Sequence, residues 1–129
     1  MNASERVVAT SAAPAAIGPY VQARVVDGFV YCSGQIGLDP TSGALVEGGV
    51  AAEMRRALAN LDAVLQAAGA GLSTIVKTTL FLVDMNDFTT VNEIYAEAFT
   101  PPYPARSTVA VAALPRGARV EIEAIARLR

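Results

Sequence analysis

Residues 22–36, QARVVDGFVYCSGQI, decide how the fold begins. Two β-rich runs, 22–26 and 29–36, flank Asp27-Gly28. A two-residue Asp-Gly loop suits positive φ at both positions, as a tight hairpin of twisted strands requires. Upstream, a short strand is expected around Val7. Gly18-Pro19-Tyr20 is a turn signal, and the alanine- and proline-rich 12–16 is too short to link domains.

Downstream, 37–49 reads as a loop carrying Asp39-Pro40, Ser42-Gly43 and Gly48-Gly49. Met54, Ala57, Leu58, Leu61, Val64, Leu65 and Ala68 then recur at helical spacing as one apolar stripe. Gly69 supplies the stop. Residues 75–83 read as a strand apolar on both faces, hence central or at an interface. Asn86 or Asp87 is placed to cap a second helix, with Phe88, Val91, Tyr95, Ala98 and Phe99 facing inward. Three prolines within 100–104 end it. A strand at 107–112, a connection at 114–119 and a strand at 120–128 complete the chain.

The order is β-β-β-α-β-α-β-β, an α+β fold. Two helices cannot cover both faces of such a sheet, so they are expected on one face. In the last strand Val120, Ile122, Ala124 and Ala126 suit the covered face. The alternating Glu121, Glu123, Ile125 and Arg127 suit a cleft or a subunit interface.

With 129 residues, one domain over 1–129 is expected. Apolar residues make up 53% and charged residues 17%, an apolar excess that fits burial between subunits. The net charge is −2 and no basic block exists, which argues against a nucleic-acid or anionic-membrane surface. No apolar run reaches about 18 residues, so no transmembrane helix is expected. The opening MNASERVV has no long apolar core after a basic start, so a signal peptide is not expected there. The expectation is a cytoplasmic protein. The absence of histidine removes Ser–His and Cys–His catalysis and imidazole acid–base chemistry. The single cysteine, Cys32, reads as a small buried hydrophobe. Arg55-Arg56 and the acidic residues of the helices read as solvated faces.

Taking the last two strands as a hairpin, Arg106 at the start of one approaches Glu121 and Glu123 on the other. That is either a cross-strand salt bridge or a site. In a site, the guanidinium fork takes a ligand carboxylate and the glutamate handles protons nearby. Spacing does not separate the two. Tyr20, pinned by Gly18-Pro19, packs or lines a pocket. Gly34 marks a bulge or a close approach. Asn92 follows inward-facing Val91 and bonds to a neighbour or to a ligand.

Several blocks together resemble the RidA/YjgF family: AIGPYVQA at 16–23, SGQI at 33–36, NLDAVLQAAG at 60–69, VKTTLFLVDMNDFTTVNEIYAEAF at 76–99, PARSTVAVAALP at 104–115 and EIEAIA at 121–126. They cover nearly the whole chain in the family's order. The resemblance implies a chorismate-mutase-like subunit, a homotrimer with active sites between subunits, and hydrolysis of reactive imines and enamines. The substrates implied are 2-iminobutanoate and 2-iminopropanoate, giving 2-oxo acids and ammonia without cofactor or metal. Carried over by position, Arg106 is the carboxylate-binding arginine and Glu121 the acid that works with the attacking water. Tyr20, Ser33, Gly34 and Asn92 line the cleft. Thr108 stands where many members have cysteine, and its main-chain carbonyl is implied to face the water. Gly37 stands where proline is frequent, Glu53 where glutamine is expected, and the loop before Arg106 is shortened. These departures bear on substrate preference. Alternatives within the resemblance are a different imine, a non-catalytic carboxylate-binding trimer, and a ribonuclease. The acidic balance and missing histidine argue against the last.

Overall fold

The computed structural model describes residues 4–129; the first three residues, where MNASERVV begins, lie outside the described residues. The strands are β1 (Glu5–Val8), β2 (Ala23–Val26), β3 (Phe29–Gln35), β4 (Ile75–Leu82), β5 (Ala105–Ala110) and β6 (Val120–Arg127). The helices are α1 (Gly49–Ala68) and α2 (Phe88–Ala98). This is the order expected from the sequence. Asp27 and Gly28 take φ 49° and 84° and close the β2–β3 hairpin. Gly69, at φ 92°, ends α1 and donates its N–H to the Gln66 carbonyl.

One mixed sheet has the order β1-β2-β3-β6-β4-β5. Only β4 and β5 run parallel, joined over the sheet by α2. This corrects the hairpin reading of the last two strands, because β4 lies between β5 and β6. Six residues of β4 pair with β5 while its other edge pairs with β6. The strand apolar on both faces is thus an interior one.

Both helices lie on one face. α1 packs on β3, β6 and α2. Met54, Leu61, Val64 and Leu65 of α1 meet Val30, Leu80, Leu82, Val120 and Ile122 of the sheet in a dry core. Truncating any such leucine to alanine costs about 2–5 kcal/mol. The other face carries Phe29, Tyr31, Phe81, Val109, Glu121, Glu123 and Ile125, half-buried or exposed. The α2 entry differs from expectation in detail. Asp87 holds the N-cap position of α2, as expected, while Asp84 caps the single 3-10 turn 85–87 that precedes it, accepting the Asn86 N–H at 2.9 Å. Asp87 makes no capping bond.

Candidate active site

Arg106 and Thr108 lie on the edge strand β5, opposite Thr78 and Leu80 of β4. Thr78 and Leu80 are wholly buried toward the helices, so side chains at these register positions share the helix face. The Arg106 guanidinium lies 4.7 Å from the Tyr95 ring centroid and 5.7 Å from that of Phe88, within cation–π range of both. Its Nη1 donates to Asn92 Oδ1 at 2.9 Å. Tyr95 is held in turn, its hydroxyl 2.8 Å from Thr78 Oγ1 and its ring 4.5 Å from Phe99. An aromatic platform and one amide thus pre-set the fork, with no carboxylate partner among the described residues. The opening beside it, about 470 Å³, is lined by Asn92, Tyr95, Tyr103, Pro104 and Arg106.

Glu121 lies opposite Phe81, on the alternate register of β6 and therefore on the open face. An extra residue in β3, between Cys32 and Gln35, bulges the ladder beside it. Gly34 sits in that bulge. A Cβ there would come within 2.7 Å of both the Glu121 carboxyl carbon and Oε2, so only glycine lets the carboxylate lie against the backbone. The bulge reading of Gly34 holds, and the group that comes close there is the Glu121 side chain rather than a ligand or a second backbone. Burial raises the Glu121 carboxyl above its ordinary value, and the neighbouring Glu123 carboxylate adds to the rise. A cavity of about 390 Å³ holds Glu121, Gly34, Tyr20, Ile17, Ile36, Leu38, Pro115 and Arg116 among its walls.

The two centres do not meet within one chain. Arg106 and Glu121 are two strand spacings apart, about 10 Å, and three residues apart along β4, about 10 Å more. They face opposite sides of the sheet and open into different cavities. A single-chain pocket shared by the pair is therefore overturned, as is the cross-strand salt bridge.

Over residues 10–128 the chain matches the family described as Endoribonuclease L-PSP. It is 57% identical over 121 residues to the human 2-iminobutanoate/2-iminopropanoate deaminase, covering 94% of this chain and 88% of that one. Identity to the mouse protein of the same name is 60%, covering 94% and 90%. The E. coli TdcF crystal structure with bound serine superposes with a TM-score of 0.91 at 42% identity, covering 96% of this chain and 99% of that one. This chain belongs to the RidA/YjgF family.

In this RidA-family subunit the other expected residues divide between the centres. Asn92 joins Arg106. Thr108 stands two residues further along β5, its hydroxyl oxygen buried without a hydrogen-bond partner among the described residues. Tyr20 is exposed on the rim of the Glu121 cavity. The Ser33 hydroxyl donates to the Val21 carbonyl at 2.6 Å, tying the bulge to the segment that carries Tyr20. Cys32 is buried, and burial pushes its thiol up to about 12, as fits an inert core residue.

Sequence reasoning gave no role to the buried polar residues that hold the cavity walls. Gln22 accepts the Thr10 N–H and donates to the carbonyls of Thr10, Ala13 and Pro14. Asn60 donates to the carbonyls of Ile36 and Leu38 at 3.1 and 2.8 Å. Arg56 is not simply solvated, since its Nε donates to Asn60 at 3.0 Å. A polar residue at an apolar position of a predicted element is the one signal that points to Asn60 and Gln22.

Proposed function

We propose that the chain is a hydrolytic deaminase of small 2-imino acids, converting 2-iminobutanoate and 2-iminopropanoate to 2-oxo acids and ammonia. It acts in the cytoplasm as a homotrimer with its sites between subunits. The observation that carries this reading is the division of the site. One face bears a carboxylate clamp with no carboxylate paired to it, and the other bears a desolvated carboxylate that forms no ion pair among the described residues, Arg116 standing at the cavity wall. Apposing two copies joins the halves, and the apolar side chains on the open sheet face suit such contact. The human and mouse relatives named as deaminases of these imines support the chemistry. TdcF solved with serine supports a pocket for a small α-amino carboxylate.

In this reading Arg106 of one subunit grips the substrate carboxylate, backed by Asn92 and the Tyr95 ring. C2 of the imine then faces a water held by Glu121 of the neighbour and by the Thr108 carbonyl, with Tyr20, Ser33 and Gly34 walling the cleft. Glu121 takes a proton as the water oxygen bonds to C2 and the C2=N π pair moves to nitrogen. Glu121 returns that proton to nitrogen, giving a carbinolamine. Glu121 then carries the hydroxyl proton of the carbinolamine to the amine, the C–N bond breaks with its electron pair on nitrogen, and ammonia leaves as the C2=O bond forms. Positioning supplies most of the effect, since binding converts a bimolecular attack into a unimolecular one. The raised carboxyl brings proton exchange closer to neutrality. The test generates imines in situ with an amino-acid oxidase. Formation of 2-oxobutanoate should accelerate with the protein; an unchanged rate would remove the reading.

A further inference from the structure

We infer that Glu53 is a positioning residue for Glu121, acting as a hydrogen-bond acceptor that clamps the start of β6; this rests on the function proposed above. Glu53 lies in the second turn of α1 and is 3% exposed. Its Oε1 accepts the Arg119 backbone N–H at 2.8 Å. The Arg119 carbonyl accepts the Val83 N–H at 3.3 Å, just past the end of β4. Both backbone groups of the residue that precedes β6 are therefore held, and Glu121 follows two positions later.

The same clamp fixes the walls of the Glu121 cavity. Pro115 and Arg116, which line it, belong to the short turn that runs into Arg119. On the other side the chain leaving β3 crosses directly over Glu53. A Cβ on Gly37 would lie 2.7 Å from the Glu53 Cα and 2.8 Å from its carbonyl oxygen. Gly37 thus lets Ile36 and Leu38, also cavity walls, sit against α1 at this residue. The glycine and the glutamate, both departures noted in the sequence, meet at one contact.

The Arg119 side chain makes a second link. Its Nη2 lies 3.1 Å from Asp87, at the start of the helix that carries Asn92. That guanidinium is about half exposed, so this arm toward the Arg106 side is the weak one. The strong, buried arm runs from Glu53 to Glu121. Its loss should therefore lower kcat and leave KM nearly alone.

The work asked of Glu53 is to accept one N–H, which a glutamine carbonyl does equally well. Shortening by one methylene withdraws the acceptor while keeping the charge. The test compares Glu53→Gln with Glu53→Asp in the full chain, with the Arg119 amide exchange followed by NMR. Glu53→Gln should keep kcat within about twofold and keep Arg119 protected. Glu53→Asp should lose about tenfold or more in kcat, with KM within about twofold and faster Arg119 exchange. The reverse order, with Glu53→Asp normal and Glu53→Gln impaired, would assign the effect to charge and overturn the inference. So would normal kcat in both variants, or unchanged Arg119 exchange in Glu53→Asp. Wild-type inactivity on every imine would instead sink the proposed function, and the amide exchange would still judge the clamp.

Discussion

The two faces of the sheet solve opposite problems. On the helix face, Arg106 is fixed by an amide and two aromatic rings, a rigid cation awaiting an anion. On the open face, Glu121 is pressed against a glycine in a partly dry cavity, which makes its proton more firmly held. Had the two faced each other within the chain, they would have neutralised one another as an ion pair. Separating them by the thickness of the sheet leaves each without an ion pair among the described residues, as the proposed site between subunits requires.

The comparison breaks most visibly at Glu121. Glu121→Gln removes the proton carrier and should lower kcat by about 10²–10⁴-fold with little change in KM; an unchanged kcat would take proton transfer away from this face. Arg106→Ala should raise KM about ten- to a hundredfold, the worth of one charge-assisted contact, and an unchanged KM would contradict the clamp. Gly34→Ala tests how closely the carboxylate is seated. Its Cβ must displace Glu121, so kcat should fall about tenfold while the Arg106 side is untouched. The smallest effect concerns Glu123. Glu123→Gln removes a negative neighbour, eases ionisation of Glu121, and should move the acid limb of the kcat–pH profile to lower pH. An upward shift would reverse the sign of that coupling.

Much of this was legible in the sequence, and the limits have a physical origin. The elements and their order follow from local information: Asp27-Gly28 for the hairpin, the α1 stripe with Gly69 as its stop, the prolines after α2. The alternation in β6 correctly puts Glu121 and Glu123 on the uncovered face. What the sequence did not carry was β4 entering between β5 and β6, because strand pairing across long separations leaves no local trace. That one insertion decides the face on which Arg106 emerges. The bonds of Gln22, Glu53 and Asn60 were hidden for the same reason, since their partners lie on other elements. The family resemblance implied a single cleft for its candidate residues, whereas within one chain Tyr20, Gly34 and Glu121 line one cavity and Asn92 and Arg106 another.

The most direct test mixes two impaired variants, assayed at substrate well below the KM of the Arg106→Ala protein. Arg106→Ala and Glu121→Ala subunits are purified separately, unfolded, combined one to one and refolded together. If sites form between subunits, about a quarter of the interfaces pair an intact arginine with an intact glutamate, and imine hydrolysis should return to about that fraction of wild type. Activity no higher than the sum of the two variants alone would mean that each chain builds its own site, contrary to the division of Arg106 and Glu121 across the sheet.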